Sequence, residues 1–96
     1  MNIEQESFID AILDQRGRDY GKFISHAEVT QNLKWILNHE LQRREKKLNF
    51  DQQEALEMIF HKIGRIVNGN PDIADHWDDI AGYAKLVGDR LRGVER

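Results

Sequence analysis

Apolar residues recur along this chain at intervals of three and four, the period of one face of an α-helix. Breaks in that pattern divide it into four runs. The first covers residues 3–15, with Phe8, Ile9, Ile12 and Leu13 on its apolar side. Residues 16–23 hold Gly17 and Gly21, which predict a loop. A second run carries Val29, Leu33, Ile36, Leu37 and Leu41 and reaches Lys47; Ser25 and Glu28 open it at capping-box spacing. Leu48, Asn49 and Phe50 form the next turn. Asp51 and Glu54 repeat the capping-box spacing at the start of a third run, whose stripe is Leu56, Ile59, Phe60, Ile63, Ile66 and Val67. Gly69 is its expected left-handed C-cap. Pro71, tolerated at a first helical position, begins the fourth run, with Ile73, Trp77, Ile80, Ala81, Ala84, Val87 and Leu91 on one side.

Strand-type alternation is nowhere sustained. The pattern predicts an all-α fold, a four-helix antiparallel bundle forming one domain over residues 1–96. Trp35 falls off the stripe of the second helix, which points to a second buried surface. The bundle is therefore expected to be completed by oligomerisation, as a dimer or a larger homo-oligomer.

Composition narrows the function classes. The net charge is −3, which argues against a nucleic-acid partner held by phosphate neutralisation. The basic run Arg43-Arg44-Glu45-Lys46-Lys47 sits at a helix end, where cations complement the helix dipole. Cysteine is absent, which removes disulfides, zinc thiolates and a cysteine nucleophile. No apolar run is long enough for a membrane span, and residues 1–6 are too acidic for a signal peptide. A soluble, cytoplasmic protein is expected.

Candidate chemistry lies in two acidic clusters. At ~100° per residue, Glu54, Glu57, His61 and Arg65 share the polar face of the third helix, and Asp75, Asp78, Asp79 and Gly82 that of the fourth. Packed antiparallel, the two helices could bring the carboxylates to one Mg²⁺, a cation that takes oxygen ligands and shares them with substrate phosphates. Lys62 and Arg65 stand near enough to handle those phosphates. Gly82 costs about 1 kcal/mol relative to Ala in a helix interior, which suggests a close approach there by a helix or ligand. The plain alternative is two solvated faces of amphipathic helices, with Asp75 as an N-cap and Asp78 at the capping-box position. In the glycine loop, Tyr20 could stack on a base and Lys22 could meet a phosphate. His26, His39, His61 and His76 lack a metal-ligand spacing, and His61 reads as a surface residue.

The segments Arg16-Gly17-x-x-Tyr20-Gly21, Glu54-Ala-Leu-Glu57-Met-Ile-x-x-Lys62-Ile-x-Arg65-Ile66 and Asp75-x-Trp77-x-Asp79-Ile-Ala-Gly-Tyr-Ala84 resemble a family of small helical proteins of phages and prophages with no settled function. That family is similar, more distantly, to the all-α nucleoside triphosphate pyrophosphohydrolases of the MazG-like type. Their signature is Glu-x-x-Glu, a spacer, then Glu-x-x-Asp, four carboxylates that bind Mg²⁺. Glu54 and Glu57 match the first pair. The second pair is Asp75 with Asp78 or Asp79, Asp standing where the family has Glu.

The resemblance implies a nucleotide pyrophosphohydrolase that cleaves between the α- and β-phosphates. Glu54 and Glu57 are the catalytic candidates, and Glu54, Glu57, Asp75 and Asp79 the Mg²⁺ ligands. Tyr20, Lys22, Lys62 and Arg65 would bind the nucleotide substrate. Two rivals stand beside this reading. One is a protein that sequesters a nucleotide without turnover; the other is a helical interaction module that binds a protein partner.

Overall fold

The computed structural model describes residues 3–96. It contains four helices, α1 (Ile3–Tyr20), α2 (Phe23–Arg43), α3 (Phe50–Asn68) and α4 (Ala74–Leu91). Among the described residues there is no strand, so the all-α fold expected from periodicity is present. The reading of the acidic N-terminus rests in part on Met1 and Asn2, which lie outside the described residues. Among the described residues, no helix is long and apolar enough to cross a membrane.

α3 is the centre of the arrangement. Along α2 and α3, Asn38 meets Gln53 at 3.4 Å, Lys34 lies 3.9 Å from Glu57, and His26 meets His61 at 3.3 Å. Residue numbers fall on one helix as they rise on the other, so the pair is antiparallel. α4 runs antiparallel to α3 in the same way. Arg90 donates to Asp51 at 2.6 and 2.7 Å near one end, and Lys62 meets Asp79 at 2.7 Å near the other. α2 and α4 each pack on α3 and not on one another.

α1 joins the rest mainly through its C-terminal end. The molecule is elongated, 49 × 31 × 31 Å, with a radius of gyration of 16.5 Å. A compact chain of this length has about 12.5 Å. The expected stripes are correspondingly half covered: Leu33, Leu56, Ile63, Ile80 and Val87 are partly buried, while Ile36, Val67, Trp77 and Leu91 are exposed. Full burial goes instead to small and polar residues, namely Ala55, Gly64, Thr30, His26, His76 and Asp89. Gly64 lets α2 come close to α3 at His26 and Thr30. A Cβ there would lie 2.8 Å from His26 Nδ1 and 3.0 Å from Thr30 Cγ2.

Helix ends differ from the expected ones in several places. α1 continues through Gly17 to Tyr20, so the expected loop at residues 16–23 shrinks to Gly21 and Lys22. Gly21, at φ +79°, makes the break. Ser25 lies inside α2 rather than capping it, since Lys22 is the N-cap. Asn49, not Asp51, caps α3, and its N–H donates to Gln52 Oε1 at 2.8 Å. Gly69 ends α3 with φ −128°, outside the left-handed region. Pro71 precedes α4, accepting a bond from the Trp77 indole at 2.9 Å, and Asp75 sits in the first turn behind the N-cap Ile73.

Candidate functional site

The corner between α1 and α2 is built on the C-terminus of α3. Asn68 Nδ2 donates to the carbonyls of Tyr20 and Lys22 at 3.0 and 2.9 Å. The Asn70 N–H donates to Asp19 O at 2.8 Å. Gly69 packs directly under the Tyr20 backbone, and a side chain there would collide with it. These contacts hold Tyr20 in one place. Its ring then packs against Arg65, whose guanidinium lies 4.5 Å from the ring centroid, and against buried His76, 5.3 Å away. A cation over an aromatic face is held by the ring quadrupole.

The start of α2 completes a cleft of about 480 Å³ between α1, α2 and α3. Three cations line it (Arg16, Lys22 and Arg65), with the aromatic rings of Tyr20 and Phe23 and the imidazoles of His26 and His61. Among the described residues no carboxylate does, although the chain as a whole is acidic. His26 Nε2 and His61 Nδ1 approach to 3.3 Å, so one ring donates and the other accepts. Burial pushes both pKa values below the ordinary histidine range, and nearby cations add to this: Arg65 for His26, Lys34 and Arg65 for His61. Burial lowers His76 in the same way, with Lys62 and Arg65 contributing.

The site residues expected from the sequence divide into two groups. Tyr20, Lys22 and Arg65 come together in the cleft. The acidic residues do not gather. Glu57 accepts from Gln53 Nε2, one turn earlier on α3, at 2.7 Å and turns toward α2, where Lys34 lies 3.9 Å away. Glu54 is exposed in the groove between α3 and α4, beside Tyr83 and Arg90. Asp79 is paired with Lys62, whose hydrogen bond holds its carboxyl below the usual range. That pairing also turns the Lys62 ammonium, expected as a phosphate clamp, onto a carboxylate. Asp75 is exposed at the start of α4. Among the described residues, no three His, Cys, Asp or Glu side chains are placed to share a metal ion. As placed among the described residues, Glu54, Glu57, Asp75 and Asp79 do not converge on one Mg²⁺ position.

Gly82 also behaves differently from expectation. A Cβ at that position would meet nothing within 4 Å, so no helix approaches it closely. From the sequence, Arg16 and Phe23 belonged to the glycine loop without a role of their own, and His26 and His61 were weighed only as metal ligands; the fold places all four on the cleft wall. A signal for the histidine pair was present: His26 and Thr30 are one turn apart, as are His61 and Gly64, a spacing that lets large and small side chains interlock.

A family model described as a domain of unknown function (DUF6378) matches residues 6–91 of the chain. No curated protein and no solved structure matches.

Proposed function

The chain belongs to the DUF6378 family, a domain of unknown function, and we propose that it binds a nucleotide in the α1–α2–α3 cleft without depending on a metal. The observation that carries this reading is the charge of the cleft: Arg16, Lys22 and Arg65 converge beside Tyr20 and Phe23, with no acidic side chain on the wall among the described residues. Cations attract phosphate oxygens, and aromatic or guanidinium planes offer a surface on which a base can stack. The volume is of the order used by small-molecule sites. Arg65 serves both purposes, since its guanidinium already lies over the Tyr20 ring, 4.5 Å from the centroid.

The distant MazG-like resemblance supports a nucleotide as the ligand class. Hydrolysis by that route would require Glu54, Glu57, Asp75 and Asp79 to converge, and in one chain Glu57 and Asp79 already have cationic partners. The geometry thus favours sequestration over turnover. The reading also has the protein acting as a homo-oligomer, because Trp35 and Ile36 of α2 face solvent.

A thermal-shift panel of nucleoside mono-, di- and triphosphates, each with and without Mg²⁺, tests the proposal. Binding to the native state raises the melting temperature by mass action. The expected result is a shift that survives chelation, disappears in Arg65→Gln, persists in Glu57→Gln, and leaves the nucleotide chemically unchanged. A shift that requires Mg²⁺ and Glu57, with release of pyrophosphate, would replace sequestration with hydrolysis.

A further inference from the structure

His26 is only 7% exposed, yet it forms part of the cleft wall. Its Nε2 reaches His61 Nδ1 at 3.3 Å. Its Nδ1 is buried against Gly64 and has no hydrogen-bond partner among the described residues. Phe23 stacks on the ring at 6.3 Å. Thr30 packs on Gly64 beside it, but the Thr30 hydroxyl donates to the Ala27 carbonyl at 3.1 Å. Among the described residues, the one hydrogen-bond partner of this ring is therefore another imidazole. Two neutral imidazoles share one N–H at such a contact, so the pair titrates as a unit.

The cations around the pair come from every neighbouring element. Arg16 of α1 and Lys22 at the corner share the cleft wall with it. α2 adds Lys34, and α3 adds Lys62 and Arg65. The carboxylates beside those cations are already engaged, Glu57 with Lys34 at 3.9 Å and Asp79 of α4 with Lys62 at 2.7 Å. His76, the α4 group packed on Tyr20, is itself disfavoured as a cation by burial and by Lys62. Left to the protein's own groups, a proton on the pair meets desolvation and like charge, and both oppose it. Both histidines accordingly lie below their ordinary range.

A phosphate reverses that balance. Held by Arg16, Lys22 and Arg65, it sets negative charge on the same wall as the two rings. An opposite charge within about 4–6 Å favours the protonated imidazole. We propose that the His26–His61 pair takes up one proton when a phosphate-bearing ligand enters the cleft, so that binding tightens as the medium acidifies. The proton comes from solvent and returns to it when the ligand leaves. This coupling rests on the cleft being the nucleotide site, and it makes the two histidines that site's adjustable cation.

The ring resonances test it directly. In the wild-type protein, imidazole carbon shifts, assigned with His26→Gln and His61→Gln, give the protonation midpoint of the pair with and without saturating ATP, Mg²⁺ being absent. ATP should raise that midpoint by about 1–3 pH units, the usual effect of a close opposite charge. The terminal phosphate of ATP titrates in the same range, so affinity is compared between proteins at each pH. Wild type should gain on His61→Gln by roughly tenfold between pH 7.5 and 5.5, the factor that a one-unit shift supplies. ATP binding that leaves the ring midpoint in place or lowers it would overturn the coupling and leave the cleft standing. So would an identical pH dependence of affinity in wild type and His61→Gln. Absence of ATP binding at every pH would remove the coupling and the cleft reading together.

Discussion

A methyl group added at Gly64 would meet the His26 ring 2.8 Å away, whereas one added at Gly82 would meet nothing within 4 Å. Both glycines are helical, so the same substitution should act in opposite directions. Gly64→Ala forces α2 from α3 and should cost about 1–3 kcal/mol, the usual range for overpacking. Gly82→Ala only removes backbone freedom from the unfolded chain and should stabilise by about 0.5–1 kcal/mol. Denaturant melts of the two variants check both signs; a destabilised Gly82→Ala would show that a neighbour approaches α4 there after all. The histidines supply a pH dependence. Burial depresses His26, His61 and His76 in the fold, so below the unfolded value of 6.5 the unfolded chain takes up protons that the folded chain refuses. Stability is then complete above pH 6.5 and declines as the pH falls from there. Asp79 and Asp51, held low by Lys62 and Arg90, lose their contribution only near and below about pH 4. The melting temperature should therefore drop between pH 7.5 and 5.5, and His26→Gln should flatten that slope.

Among the helices, the apolar spacing was sufficient to place all four, because a 3.6-residue period persists even where burial is partial. The ends were less legible. Ser25–Glu28 and Asp51–Glu54 both have capping-box spacing, yet neither marks a helix start. The corner at Gly21 and the Asn49–Gln52 bond decide instead. Asp51 is drawn off by Arg90, 39 residues away, a partner that no local pattern reveals. α1 could not be stopped at residue 15 for a similar reason. One glycine costs a helix only about 1 kcal/mol, and the chain breaks where Gly21 takes a positive φ against Asn68. Asn68 is the contact most specific to this corner. Asn68→Ala removes both bonds to the Tyr20 and Lys22 carbonyls and should destabilise by about 1–3 kcal/mol. Hydrogen exchange should show faster opening of α1 than of α3. Uniform exchange across both helices would contradict the idea that α3 clasps an otherwise loosely attached α1.

For the molecule as a whole, the sequence pointed to two candidate sites, and the fold treats them differently. Tyr20, Lys22 and Arg65 are 45 positions apart in the chain at their extremes, and the α3 C-terminus brings them to one wall. The acidic pairs looked convergent on a helical wheel because a wheel shows phase and not the neighbour that each face meets. Glu57 faces α2 and Glu54 faces α4, and α3 lies between those helices. The exposed stripe on α1 was legible as a stripe, but the sequence alone could not show that it borders the cleft. A titration of the isotopically labelled protein with ATP in the absence of Mg²⁺, followed by amide chemical shifts, separates the two sites residue by residue. The expected result is a saturable set of changes at Gly21, Lys22, His61 and Arg65, with the amides of Glu57, Asp75 and Asp79 unmoved. Changes confined to those three acidic positions, or appearing only once Mg²⁺ is added, would contradict a metal-independent cleft.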